Sequence, residues 1–288
     1  MDTICKNWST WLKKTRFSYM NEAQIQQTMN WLTSIRDIVL NMSDLKEGQK
    51  IADFGCGSGL LAFGILERFQ NKVELIFSDK FIDCLDECKN ILDSSNVIHN
   101  AKFLQSDICN IKLENDYLDR ALTRSVLVHV KEKFPAFSEL YRVIKPQGLY
   151  CAFEPIISEN TKYYELLSSN QITDYEDFKK AEIEFMSNKD DALVNFSAQS
   201  LDKDLEDAGF SNVVVNVNVV ESKYIAMADA IKNWFISPPG PGQKTVKERF
   251  LEYFDESKTD NFIQEVINAL SNQEVKISTK TALIKAVK

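Results

Sequence analysis

The run Asp53-Phe54-Gly55-Cys56-Gly57-Ser58-Gly59 carries the strongest chemical signal in the chain, because it ends a short apolar stretch and opens an amphipathic one. Glycine at alternate positions strips the Cβ atoms from one side of a tight strand-to-helix turn, so a small molecule can lie against bare backbone. Asp53 is equally informative. A turn built only for phosphate gains nothing from a carboxylate at the strand end, whereas a positively charged ligand tolerates one. Two more acids follow apolar runs. Asp79 lies about twenty residues beyond Gly59, the place where a carboxylate can accept both hydroxyl hydrogens of a ribose; its other reading is the cap of a helix ahead of Ile82. Asp107, in Gln105-Ser106-Asp107-Ile108, can accept from an adenine amino group while Ile108 packs on the ring, or can simply be a polar turn residue.

The elements that position these residues alternate regularly. The spacing predicts strand 50–54, helix 60–69, strand 73–78, helix 82–92, strand 101–105, strand 118–123, helix 133–143, a turn at Lys145-Pro146-Gln147-Gly148 and strand 149–153. Strands separated by helical patterns imply right-handed crossovers and a parallel sheet covered on both faces, hence an α/β, doubly wound, Rossmann-like fold. Two or three helices are expected between Trp8 and Asn41. After Pro155 the rhythm changes to polar helices over 159–187, followed by a helix at 198–207, a valine-rich strand at 211–221, a helical stretch at 226–271 broken by Ser237-Pro238-Pro239-Gly240-Pro241-Gly242, and a final β-rich run at 275–287. The sheet is therefore expected to be mostly parallel and seven-stranded. Residues 1–45 form a helical cap segment and 46–288 the main domain, with helical lid insertions at about 156–197 and 225–273. Ligands in such sheets bind beyond the carboxyl ends of the strands, which is where these insertions would close. The Pro238–Gly242 loop reads as a rigid bend between helices.

Composition narrows the partners. Lys and Arg number 34 against 42 for Asp and Glu, a net charge of −8 with no basic block, which argues against nucleic acid. No run is long enough for a membrane span and the amino terminus lacks the features of a secretion signal, so a cytoplasmic protein without a membrane partner is expected. Six cysteines are scattered, and the close pair Cys84 and Cys88 has no neighbouring histidine; reduced core thiols are expected rather than a metal site. Oligomeric state leaves no signature.

Taken in order, these features resemble the class I S-adenosylmethionine-dependent methyltransferases, particularly bacterial members acting on small molecules, over most of the sheet. The acidic-x-Gly-x-Gly-x-Gly turn spans Asp53 to Gly59, the second-strand acid matches Asp79 and the adenine-contacting acid matches Asp107. The stretch Thr123-Arg124-Ser125-Val126-Leu127-Val128-His129-Val130, with Tyr141–Gly148 and Phe153-Glu154-Pro155, matches the later motifs. Gln147 stands where the family usually has a second glycine, and a long helical segment separates the last two strands. The resemblance implies S-adenosyl-L-methionine as cofactor, S-adenosylhomocysteine as product and a small-molecule acceptor. It implies cofactor contacts at Asp53, Gly55, Cys56, Gly57, Gly59, Asp79, Lys80, Asp107, Ile108, Thr123, Arg124 and Ser125, with Arg16 a rival of Arg124 for the cofactor's carboxylate.

Methyl transfer from a sulfonium needs alignment above all, and a base only where the nucleophile must lose a proton. Glu154 and His129, near strand ends, are the candidate catalytic residues. Aromatic residues of the proposed lid segments, Tyr19, Tyr163, Phe185 and Trp234 among them, are candidate substrate contacts. Other readings stay open: a nicotinamide-dependent oxidoreductase, disfavoured because a dinucleotide turn would need glycine at Leu60; a protein that binds the cofactor without transferring methyl; and an enzyme that breaks another sulfonium bond.

Overall fold

The structure is a computed structural model that describes residues 20–95 and 97–288. Its elements in chain order are α1 (Glu22–Met42), β1 (Lys50–Phe54), α2 (Leu60–Phe69), β2 (Glu74–Asp79), α3 (Ile82–Asp93), β3 (Ala101–Gln105), β4 (Leu118–Arg124), α4 (Lys133–Val143), β5 (Ile144–Pro155), α5 (Tyr175–Met186), α6 (Ala198–Asp207), β6 (Ser211–Ile225), α7 (Ala228–Ile236), α8 (Val246–Phe250), α9 (Glu256–Leu270) and β7 (Glu274–Val287). The seven strands lie in the order β3-β2-β1-β4-β5-β7-β6. β1 to β5 pair in parallel, and β7 runs against both β5 and β6. From β1 the chain winds outward to β3, then returns to β4 and winds the other way, so the strand order reverses between β1 and β4. Clefts in doubly wound sheets open at that reversal.

Both faces are covered, as the continuous apolar strands require. Leu122, Phe77 and Ile51 pack on one side under α1, α2 and α3, and Ala121, Tyr150 and Ile284 on the other under α4 and α6. α1 begins with a reciprocal cap: the Asn21 side chain accepts from the Gln24 N–H at 3.0 Å, and the Gln24 side chain accepts from the Asn21 N–H at 2.9 Å. Its buried Leu32, Ile35, Val39 and Leu40 make it a covering helix of the sheet. Of the two or three helices expected before the sheet, the described residues contain this one; Arg16 and Tyr19 lie outside the described residues.

Two expectations change. The turn at Lys145–Gly148 is a bulge inside β5: Ile144 pairs with Leu118 and Leu149 with Arg120, so four residues stand opposite Asp119. The polar segment after Pro155 is less helical than its pattern implies, with short 3-10 turns at Ile157–Glu159 and Tyr163–Leu166 before α5. Its apolar residues nonetheless build a third cluster, in which Phe178, Phe185, Phe235, Phe250 and Phe262 from α5, α7, α8 and α9 meet. The long β6–β7 pair places that cluster. β5 stops pairing at Pro155 opposite Thr281, but β6 and β7 continue to Ile225 opposite Glu274. This overhang carries α7 to α9 past the carboxyl ends of the parallel strands.

Candidate functional site

A cavity of about 1010 Å³ opens beyond the carboxyl ends of β1, β2 and β4. Asp53, Gly55, Cys56, Gly57, Asp79, Lys80, Asp107, Ile108, Arg124, Ser125 and His129 all line it. These eleven residues come from four separate stretches of chain.

The glycine turn is fixed by hydrogen bonds from its flanks. Cys56 N–H donates to Ser78 O at 3.0 Å, Gly57 N–H to Asp79 Oδ2 at 2.9 Å, and Ala62 N–H to Asp53 Oδ2 at 3.0 Å. Two glycines are required by geometry. Gly55 has φ +64°, and a Cβ there would stand 2.5 Å from a Val126 methyl; Gly59 has φ +80°, and a Cβ would meet the Phe63 ring at 2.5 Å. Gly59 therefore serves the packing of α2 on the turn, while Ser58 and Leu60 on either side of it line the cavity.

The three acids have distinct electrostatics. Burial raises Asp53 to about 7 against the pull of the Ala62 N–H and the Arg124 charge. Burial also raises Asp79, whose Oδ1 accepts the Phe81 N–H at 2.9 Å, although that bond and the Gly57 N–H draw it back. Asp79 thus shapes the turn before α3 and can still bind a ligand, since each oxygen keeps a second lone pair. Asp107 goes the other way: partial burial is outweighed by the Cys109 N–H at 2.9 Å and the Lys80 ammonium at 2.9 Å, so its pKa is lowered. Lys80 thereby neutralises Asp107 on the rim.

Glu154 occupies a different place from the one expected. It is fully buried, Oε1 and Oε2 accept the N–H groups of Val126 and Leu127 at 3.0 Å each, and the Thr123 hydroxyl reaches Oε1 at 3.3 Å. Neither Glu154 nor Thr123 lines the cavity; Thr123 also bonds the Tyr150 hydroxyl at 2.9 Å. Burial lifts Glu154 to about 7 while the two N–H groups and the hydroxyl oppose the lift. The carboxylate holds the turn after β4 from behind. That turn is tight: Ser125 has φ +55° and donates its N–H to Phe153 O at 2.8 Å. It delivers His129 to the cavity, where Nδ1 stands 2.8 Å from Gln243 Nε2.

Three of the aromatic candidates for substrate contact lie in the helical cluster. Tyr163 stacks on Trp234 at 5.8 Å between centroids, and Phe185 packs edge-on against Phe250 at 5.0 Å. Phe185 is buried in the helical cluster, and the half-buried Tyr163 and Trp234 pack against it. The cavity wall comes instead from Trp31 of α1, from Phe153, Leu193, Pro238, Pro239 and Pro241, and from Gln243 in the proline-rich loop. Trp31 meets Phe153 edge-on at 6.0 Å. The signal for the loop was present in its prolines, which a polar bend between helices does not require in such number. Gln243 carried none.

Among the described residues no cluster of His, Cys, Asp or Glu suits a metal, and no helix is long and apolar enough to cross a membrane. The five described cysteines are free thiols, and Cys88 Sγ donates to Gly57 O at 3.3 Å, tying α3 to the glycine turn.

Residues 51–148 match a family model described as a methyltransferase domain. A ubiquinone/menaquinone biosynthesis C-methyltransferase of Coxiella burnetii is 25% identical over 139 residues, covering 48% of this chain and 54% of that protein. The chain thus spans about half the length of the curated relatives it matches. Among solved structures, Haemonchus contortus phosphoethanolamine N-methyltransferase 2 in complex with S-adenosyl-L-methionine superimposes with a TM-score of 0.54 at 17% identity, over 98% of this chain and 60% of that one. The YcgJ protein of Bacillus subtilis gives 0.57 at 14% identity, over 88% and 97%. These similarities in fold agree with the Rossmann-like architecture.

Proposed function

Because residues 51–148 match a methyltransferase domain, we propose that this chain transfers a methyl group from S-adenosylmethionine to a small acceptor in the cavity, releasing S-adenosylhomocysteine. The observation that carries the reading is the convergence of the glycine turn with Asp53, Asp79 and Asp107 on one cavity at the reversal between β1 and β4. When bound, the donor supplies an electrophilic methyl on a positively charged sulfur. The chain supplies the positions. Asp79 takes the ribose hydroxyls, Asp107 and Ile108 the adenine, Gly55 to Gly57 the backbone face, Asp53 the cationic end and Arg124 the carboxylate. Arg16 remains a candidate for the same carboxylate.

The acceptor end is walled by Trp31, Phe153, Leu193, Pro238 and Pro239, and its lysines are occupied: Lys131 pairs with Asp190 at 2.9 Å and Lys280 with Glu159 at 3.1 Å. An acceptor with an apolar body suits this wall better than a free phosphate ester, and so stands nearer to the C-methyltransferase relative's chemistry than to the phosphoethanolamine enzyme's. The insertions at about 156–197 and 225–273 act as the lid that keeps water from the reacting atoms. A cytoplasmic enzyme with no nucleic-acid or membrane partner fits the charge balance.

Isothermal calorimetry with S-adenosylhomocysteine and with NADH tests the donor. Binding of the first and not the second is expected; the reverse would overturn the reading. Conversion of S-adenosylmethionine to S-adenosylhomocysteine with fractionated metabolite extract, followed by mass spectrometry for a gain of one methylene mass, then identifies the acceptor.

A further inference from the structure

The donor half of the cavity is rich in assigned polar groups, whereas the acceptor half is mostly apolar. Among the polar side chains of that half, Gln243 is set apart by its amide. It follows Pro238-Pro239-Gly240-Pro241-Gly242, which leaves α7 and turns back toward α8. The prolines fix three φ angles, and the Gln243 N–H closes the bend onto Gly240 O at 3.0 Å. Behind the bend, the nearly buried Arg249 grips Asp191 at 2.6 Å and donates to Lys244 O. A loop held this way keeps its side chains in place.

The Gln243 amide has two unlike ends. Nε2 lies 2.8 Å from His129 Nδ1, while Oε1 is buried and has no hydrogen-bond partner. Leaving a buried amide oxygen unmatched costs about 1–3 kcal/mol, so such an atom calls for a donor from outside the chain. Gln243 lines the cavity, and its Oε1, which lies out of contact with solvent, comes within reach of a bound molecule through a small shift of the side chain. Nearby acceptors are already used: Asn160 Oδ1 receives the Lys280 N–H at 2.8 Å.

We propose that Gln243 determines acceptor specificity, its Oε1 receiving a hydrogen bond from an O–H or N–H of the methyl acceptor while His129 holds the amide through Nδ1. This rests on the reading of the cavity as a methyl-transfer site, which is what makes its far end an acceptor pocket. The ligand class follows: a small molecule with an apolar body bearing a neutral hydroxyl or N–H. The tautomer follows too. With the amide nitrogen donating, Nδ1 accepts, so neutral His129 carries its proton on Nε2 and acts as a positioning residue.

The test uses the full chain loaded with S-adenosylhomocysteine and two matched probes, 2-naphthol and 2-fluoronaphthalene, titrated by calorimetry or ligand-observed NMR. The naphthol is expected to bind about tenfold more tightly, the effect of one satisfied hydrogen bond. Gln243→Met, similar in length but without the carbonyl, is expected to erase the preference, and Gln243→Glu, which keeps an oxygen acceptor, to retain it. Equal affinities, no binding of either probe, or a preference surviving in Gln243→Met overturns the proposal. Because the chain holds two histidines, His99→Gln leaves the His129 ring alone in a ¹⁵N spectrum. A protonated Nε2 is expected, and a protonated Nδ1 overturns the assigned amide orientation. Calorimetry of S-adenosylhomocysteine alone decides the methyl-transfer reading. If that binding fails, the probe pair titrated into the unloaded protein still decides the role of Gln243.

Discussion

Asp53 shows most clearly how one residue ties burial to ligand choice. Its carboxyl is almost fully buried and raised to about 7, so without a cationic partner the neutral form prevails below that pH. A ligand with positive charge favours the ionised form, and binding must then release the proton wherever the pH lies below about 7. The affinity of S-adenosylmethionine is therefore expected to rise with pH up to about 7 and to level off above it. Calorimetry at pH 6 in buffers of different ionisation enthalpy should record proton release; proton uptake, or an affinity that falls between pH 6 and 7, would contradict the role. Asp53→Asn removes the titration, and its pH dependence should be flatter. At this scale the sequence was readable for the glycine turn and its acids, because the chemistry is written in consecutive residues. Glu154 was not: its place after an apolar strand is the same whether the side chain faces the cleft or, as here, the N–H groups of Val126 and Leu127. Only the fold of the following turn decides.

Two elements convert those residues into a rigid site. The turn after β4 hangs on Glu154, so Glu154→Gln, which can accept at one end only and sets an NH₂ against a backbone N–H, should destabilise the protein by about 1–3 kcal/mol. Its thermal midpoint should fall and S-adenosylhomocysteine should bind less tightly, because Ser125 and Val126 line the cavity. Unchanged stability would show that the turn stands without the carboxylate. The bulge of β5 gives the opposite sign. Gln147 sits at φ +66°, anchored by its N–H to Lys288 O at 2.8 Å. A left-handed side-chain residue costs about 1–2 kcal/mol, of which glycine's extra chain freedom returns about 0.5–1. Gln147→Gly should therefore raise stability by about 0.5–1 kcal/mol in urea melts, and a loss would mean that the side chain has a role the backbone does not reveal. Helices and parallel strands were legible from periodicity, since each buries a continuous stripe; α2 and α4 begin and end where the pattern predicts. The segment 156–175 was not, because its short 3-10 turns are held by distant groups such as Glu182, which accepts the Tyr163 and Tyr164 N–H groups at 2.7 and 2.9 Å.

Across the whole molecule, three buried carboxyls in three separate regions share one electrostatic condition. Asp53 in the glycine turn, Glu154 behind β4 and Glu182 in the helical cluster are each raised to about 7 by burial, against the backbone N–H groups they accept. A carboxyl whose folded pKa exceeds its unfolded value gives its full stability below the unfolded value, loses it as the pH climbs toward the folded value, and changes little beyond. Asp107, Asp119 and Glu139 have lowered values, so their contribution is present above the ordinary carboxyl range and lost as acid protonates them. The two sets act in opposite directions. Stability is therefore expected to peak near pH 5, to fall between pH 5 and about 7, and to be flat from there to pH 8. A series of thermal melts from pH 4 to 8 measures this, and Glu182→Gln, remote from the cavity, should remove part of the decline without altering the pH dependence of S-adenosylmethionine binding. A midpoint that rises from pH 5 to 7 would mean that these carboxyls stay ionised in the fold, and that the N–H groups around them outweigh their loss of water.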